Sequence, residues 1–246
     1  MPVRRAVLLL AFLFLPVLAQ AGAPETVSFK AADGVQVYGD LYRPSGAPRG
    51  VLLLFHQAQS GRAEYALIAP KLAARGWIAI AIDQRSGGSL FGGRNLTAAG
   101  VGGDPGYLAA LPDLEAALAY SRVQFPAFRP VVWGSSYSAS LVFLLAARHA
   151  SDVSAVLAFS PGEYFPGISV RAAAANVAVP IYVTSASDPE EEEAAALIVA
   201  SGVGANRHQT RAKIGVHGSA TLRADYNAAG AAANFADVAA WLDGLP

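Results

Sequence analysis

Five short apolar runs, separated by stretches of helical spacing, limit what this chain can fold into. Residues 51–56, 77–83, 131–133, 155–160 and 180–185 are close to continuously apolar. A strand with one wet face alternates polar and apolar side chains, so runs of this kind predict strands buried on both faces. Between and after them, residues 64–75, 113–122, 137–149, 190–201 and 235–242 carry helical spacing, and a last strand is expected at 212–216. Alternating strands and helices imply a mostly parallel sheet with helices on both faces, an α/β architecture. Ahead of the first buried run, 27–30 and 35–42 are strand-like and flank Asp33-Gly34. That dipeptide is a hairpin signal and predicts an antiparallel pair at one edge.

The chain has 246 residues, 54% hydrophobic and 15% charged, which suits one domain with a sizeable core and argues against intrinsic disorder. Lys+Arg and Asp+Glu both number 18, so no charge excess points to nucleic acid as a partner. There is no cysteine. Disulfides, thiolate metal sites and a cysteine nucleophile are therefore excluded.

The N-terminus differs in kind. Arg4 and Arg5 precede an apolar run over 6–19, followed by Ala19-Gln20-Ala21 and Ala21-Gly22-Ala23, two small-x-small cleavage sites. This is the layout of a secretory signal peptide. The run is shorter than the roughly 20 residues a membrane span needs, and Pro16 interrupts it. The reading is a signal peptide over 1–23, cut after Ala21 or Ala23, and a catalytic domain over 24–246. The mature chain would then be periplasmic or secreted, as in a bacterium, with no stable membrane insertion. Asn95-Leu96-Thr97 fits a glycosylation sequon and is read as chance.

In open α/β sheets, ligands bind at the carboxyl ends of the strands. Taken in order, those ends carry His56-Gln57, Asp83-Gln84-Arg85, Gly134-Ser135-Ser136-Tyr137-Ser138, Ser160-Pro161-Gly162, Ser187-Asp188 and His217-Gly218. A Ser, an Asp and a His thus project from one rim in that chain order. Ser136 has glycine two residues before it and lies between strand and helix, the setting of a nucleophile elbow; Ser138 stands where glycine is common. Serine needs a base to take its proton. His217 is placed for that, and Asp188 to orient it. Glu190, Glu191, Glu192 and Glu193 read as a solvated first helical turn. The oxyanion needs two N–H donors, and the backbones of Tyr137 and Gln57 are the candidates. Asp83 and Arg85 read as an ion pair or loop hydrogen bonds.

On these motifs, together with 52–57 and the Asp83–Ser89 stretch, the chain resembles the α/β-hydrolase family from about residue 27 to its end, and within it the smaller dienelactone-hydrolase-like esterases. The resemblance implies a mostly parallel eight-stranded sheet and acyl-transfer chemistry with no metal or organic cofactor. Dienelactone hydrolases proper use cysteine where Ser136 stands. Lids in this fold enter between the strands expected at 155–160 and 180–185, where only a short segment is available, so little or no cap is expected. Phe91, Tyr107 and Tyr164 are candidate wall residues of an open cleft. The expected activity is hydrolysis of small or medium carboxylic esters, the partner a small-molecule ester. A peptidase or lipase on the same residues, or a non-catalytic binding protein of this fold, are the alternatives.

Overall fold

The computed structural model describes residues 23–246, so the signal-peptide reading lies outside the described residues. Fifteen regular elements follow one another: β1 Glu25–Lys30, β2 Gln36–Tyr42, β3 Gly50–Phe55, α1 Ala69–Ala74, β4 Trp77–Ile82, α2 Leu96–Val101, α3 Leu111–Gln124, β5 Val131–Ser135, α4 Tyr137–Arg148, β6 Ala155–Phe159, α5 Val170–Ala174, β7 Ile181–Thr184, α6 Pro189–Ser201, β8 Arg207–Thr210 and α7 Ala231–Asp243. The strands form one eight-stranded sheet in the order β1-β2-β4-β3-β5-β6-β7-β8. β1 and β2 pair antiparallel, β2 joins β4 antiparallel, and every other pair is parallel. The expected α/β sheet with an antiparallel leading hairpin is what the chain forms.

The two faces of the sheet bury different sets. Leu53, Phe55 and Val132 face a core completed by α3, α4, α5 and α6. Leu52, Leu54, Val131 and Trp133 face one completed by α1 and α7, with Leu72, Val238 and Leu242. Alternate residues of one strand thus serve opposite cores, which is why these strands read as unbroken apolar runs. On the second face Trp133 stacks on Phe159 with ring centroids 4.6 Å apart.

Two elements depart from the sequence reading. The helix expected over 64–75 is a 3-10 turn at Arg62–Tyr65 followed by α1. Pro70 lacks an N–H and its ring would clash with the carbonyl four residues earlier, so it is tolerated only in the first turn of a new helix. The strand expected over 212–216 lies instead at Arg207–Thr210, pairing Arg207 with Ile181 and Thr210 with Thr184. It is an edge strand with no fully buried residue, so it lacks the apolar signal of the central strands. Asp83 and Arg85 do form ion pairs, but with other partners. Asp83 holds Arg62 at 2.7 Å, and Arg85 is held by Asp113 at 2.7 Å and by Asp33. Asn95 is buried as the N-cap of α2, accepting from Ala98 N–H at 2.8 Å, which agrees with reading its sequon as chance.

Candidate active site

The turn from β5 into α4 is built around glycine. A Cβ on Gly134 would lie 2.1 Å from the Ser138 carbonyl oxygen, so no other residue fits. Ser138 is buried there with its hydroxyl satisfied, donating to the His56 carbonyl at 2.6 Å and accepting from Gln84 Nε2 at 2.8 Å. Ser136 caps α4 at φ 58° and ψ −123°. A non-glycine residue there stores strain of about 1–3 kcal/mol, and such strain gathers at functional sites. The Ser136 N–H donates to the Phe159 carbonyl at 2.7 Å, fixing the turn to the end of β6.

His217 reaches this serine from the connection between β8 and α7. Its Nε2 lies 2.8 Å from Ser136 Oγ. Its Nδ1 lies 2.7 Å from Glu191 Oε1. A carboxylate accepts only, so Nδ1 carries the proton and Nε2 is left to accept from the serine hydroxyl. The Glu191 hydrogen bond holds the His217 imidazole above its ordinary pKa of 6.5, against the opposing effect of burial. Burial pushes the Glu191 carboxyl up, but hydrogen bonds from His217, Ser160 and the Ala186 N–H outweigh it and hold it below its ordinary range.

The acid beside His217 is therefore Glu191, and the expectation for Asp188 is corrected. Asp188 is the exposed N-cap of α6, and its carboxylate accepts from the Glu190 N–H at 3.0 Å and the Glu191 N–H at 3.3 Å. Pro189 begins the helix, and Glu191, still in its first turn, meets the imidazole. The only sequence signal was a run of four glutamates after the cap, and nothing in it singled out the one that meets His217.

The expectation for Gln57 as oxyanion donor is also corrected. Its N–H donates to Glu64 Oε2 at 2.8 Å, so that donor is taken. The next residue, Ala58, has an N–H with no protein acceptor among the described residues. The same holds for Tyr137 N–H, which opens α4 directly after Ser136. His56 is fully buried. Burial lowers its pKa to about 4, so it stays neutral, donating from Nδ1 to the Gln57 carbonyl and accepting the Gln84 N–H at Nε2.

The wall residues divide. Tyr107 stacks on Tyr137 at 4.6 Å, and Tyr164 donates to the Ser160 carbonyl at 3.0 Å with Ser136 beside it. Phe91 packs instead on Tyr226 and on the Arg223 guanidinium. A cavity of about 270 Å³ opens next to Ala58 and is bounded by Gln59, Ser86, Gly87, Pro105 and Tyr107. Among the described residues, no three His, Asp or Glu side chains gather to share a metal ion.

Solved structures of the same architecture are numerous, and esterases, a dienelactone hydrolase and an acylaminoacyl peptidase are among them. A dienelactone hydrolase from Anabaena variabilis superposes with a TM-score of 0.69, covering 92% of this chain and 99% of that one at 17% identity. A thermostable carboxyl esterase from Bacillus coagulans gives 0.68, covering 91% and 99% at 13% identity. This chain has the α/β-hydrolase fold. No family model matches the sequence. A monoacylglycerol lipase from Mycolicibacterium smegmatis is 26% identical over 138 residues. That match spans 54% of this chain and 45% of the lipase, less than half of the relative's length.

Proposed function

We propose that this protein is a serine hydrolase that cleaves small carboxylic esters through an acyl-enzyme on Ser136. The observation that carries the reading is the relay from Glu191 through His217 to a serine held on a strained turn. Each link is within hydrogen-bond reach, at 2.7 and 2.8 Å.

In this reading Ser136 Oγ attacks the ester carbonyl while His217 Nε2 takes its proton. The carbonyl π pair moves onto oxygen, where Tyr137 N–H and Ala58 N–H receive it. Glu191 fixes the imidazole tautomer and stabilises the imidazolium. His217 then gives the proton to the leaving alkoxide as the C–O bond breaks, leaving an alcohol and the acyl-serine. Water repeats the sequence and releases the acid. In this reading the cavity of about 270 Å³ beside the Ala58 N–H takes a short acyl chain. The residues at 1–23 support export as the route to its substrate.

A fluorophosphonate probe with mass mapping, and hydrolysis of p-nitrophenyl acetate and butyrate, test the reading. The expected result is labelling confined to Ser136, turnover by the unaltered chain, and a loss of about 10⁴-fold or more in Ser136→Ala. Equal turnover by both proteins, or a probe that leaves Ser136 untouched, would overturn it.

A further inference from the structure

One buried acid has no part in the relay. Glu64 lies on the 3-10 turn after β3 and is 0% exposed. Its Oε2 accepts the Gln57 N–H at 2.8 Å, and its Oε1 accepts the Ser135 hydroxyl at 2.6 Å. Ser135 Oγ in turn accepts the Ser219 N–H at 2.8 Å, and Ser219 Oγ accepts the Trp133 indole N–H at 2.9 Å. One carboxylate thus joins the loop before Ala58, the turn that carries Ser136 and, through Ser135, the segment that carries His217.

We propose that Glu64 is a positioning residue for the reaction at Ser136: its ionised carboxylate ties the oxyanion loop to the nucleophile turn, and its charge supports the imidazolium that forms on His217. The inference rests on the serine-hydrolase reading above.

The chemistry of the two protonation states differs at a defined atom. Ionised, Glu64 accepts from both Gln57 and Ser135. Protonated, it carries one O–H in place of an acceptor site. A proton on Oε1 reverses the Ser135 contact, and Ser135 Oγ must then accept from both Glu64 and Ser219 while its own hydrogen loses its partner. The negative charge that favours the protonated imidazole of His217 also disappears.

No cationic side chain pairs with this carboxylate among the described residues. Arg223 donates to the Glu64 and Ala63 carbonyl oxygens, and its charge is met by Asp225 at 2.7 Å. Burial therefore prevails over the hydrogen bonds from Ser135, Gln57 and Ser60, and the Glu64 pKa rises to about 7. The other titratable groups around it are Tyr65 on its own turn, Tyr137 at the start of α4, His56 after β3, and His217 and Arg223 beyond β8. Burial pushes both tyrosines far above neutrality and His56 down to about 4. That leaves Glu64, with its pKa near 7, and His217, held above its ordinary 6.5, as the pair whose charges respond to each other.

The test compares the unaltered chain with Glu64→Gln, which keeps the volume and removes the charge. The first readout, independent of turnover, is the NMR titration of His217. Its midpoint is expected to fall by about 0.5 unit or more in the variant. The second is the pH profile of p-nitrophenyl butyrate hydrolysis. The unaltered chain should show an acidic limb steeper than one proton, and Glu64→Gln a one-proton limb at lower pH. Its plateau kcat should be reduced roughly 10- to 100-fold, with KM changed far less. Glu64→Asp, which keeps the charge, should retain the steep limb, and it replaces Glu64→Gln if circular dichroism shows that variant unfolded. An unmoved His217 midpoint, or a lower kcat on an unchanged limb, would overturn the proposal, the latter by reducing Glu64 to a loop tie. If the unaltered chain hydrolyses no ester, the serine-hydrolase reading fails, while the His217 titration still decides whether Glu64 acts on that imidazole.

Discussion

Glu191 meets the imidazole of His217 and Glu64 meets Ser135 beside the nucleophile, and their surroundings push the two carboxyls in opposite directions. Glu191 is half-buried in the first turn of α6, where the helix dipole favours a negative charge and His217 and Ala186 donate to it. Its carboxyl is held below the ordinary range. Glu64 is fully buried on a 3-10 turn with hydrogen bonds but no paired cation, and its pKa rises to about 7. The same functional group is thus a permanent anion in one place and a titrating one in the other. The difference lies in whether compensating charge accompanies burial.

The sharpest way to break this comparison is Glu191→Gln. An amide can donate to Nδ1 as well as accept from it, so the imidazole is no longer held in the tautomer that leaves Nε2 free. A loss of about 10⁴-fold in kcat is expected. Because Glu191 holds the His217 pKa up, the residual activity should also persist to lower pH than in the unaltered chain. A variant that keeps a tenth of the activity would remove Glu191 from the relay.

The next largest effect falls on stability, and it concerns Glu64. Its folded-state pKa, about 7, lies above the ordinary value of 4.5. Between those values the folded chain holds a proton that the unfolded chain has lost. Folding stability from this group is therefore full below pH 4.5, declines as pH rises through 7 and then levels off. The whole decline corresponds to roughly 3 kcal/mol. Urea unfolding at pH 5 and pH 8.5 should show the unaltered chain losing about that much relative to Glu64→Gln. Parallel stabilities across the range would mean that Glu64 does not titrate there, and the contrast with Glu191 would vanish.

How much of this was legible in the sequence follows the same division between centre and edge. In the middle of the sheet, each strand is buried on both faces, so hydrophobic runs mark strand ends to within a residue or two. Ser136 was found that way, because β5 ends at Ser135. At the far edge β8 is Arg-His-Gln-Thr, exposed or half-exposed throughout, and the apolar residues after it drew the expected strand to 212–216. His217 was picked out all the same, because it follows that displaced run. The acid was missed for a different reason. Asp188 is the N-cap of α6 and Glu191 lies three residues further on, inside its first turn; which of them reaches His217 depends on where that first turn sits against the segment carrying the imidazole, a property of packing rather than of local sequence. Glu64 was read only as the start of a helix, since burial of a charged side chain leaves no periodic trace.

The smallest effect separates those two acids. Asp188→Ala removes the acceptor for the Glu190 and Glu191 N–H groups at the start of α6. Loss of such a cap costs about 1 kcal/mol, and in a chain of this size lowers the melting temperature by about 2–4 °C. The carboxylate of Glu191 keeps its partner, so kcat at 25 °C should change by no more than about 3-fold, against the roughly 10⁴-fold expected when Glu191 itself is altered. Glu191→Gln should show the reverse pattern, with the cap intact and the melting temperature moved little. The two variants thus exchange their effects on stability and on rate. If Asp188→Ala instead stops turnover while melting like the unaltered chain, the first turn of α6 rearranges in solution to bring Asp188 to the imidazole, and the acid of the relay is the residue the sequence first pointed to.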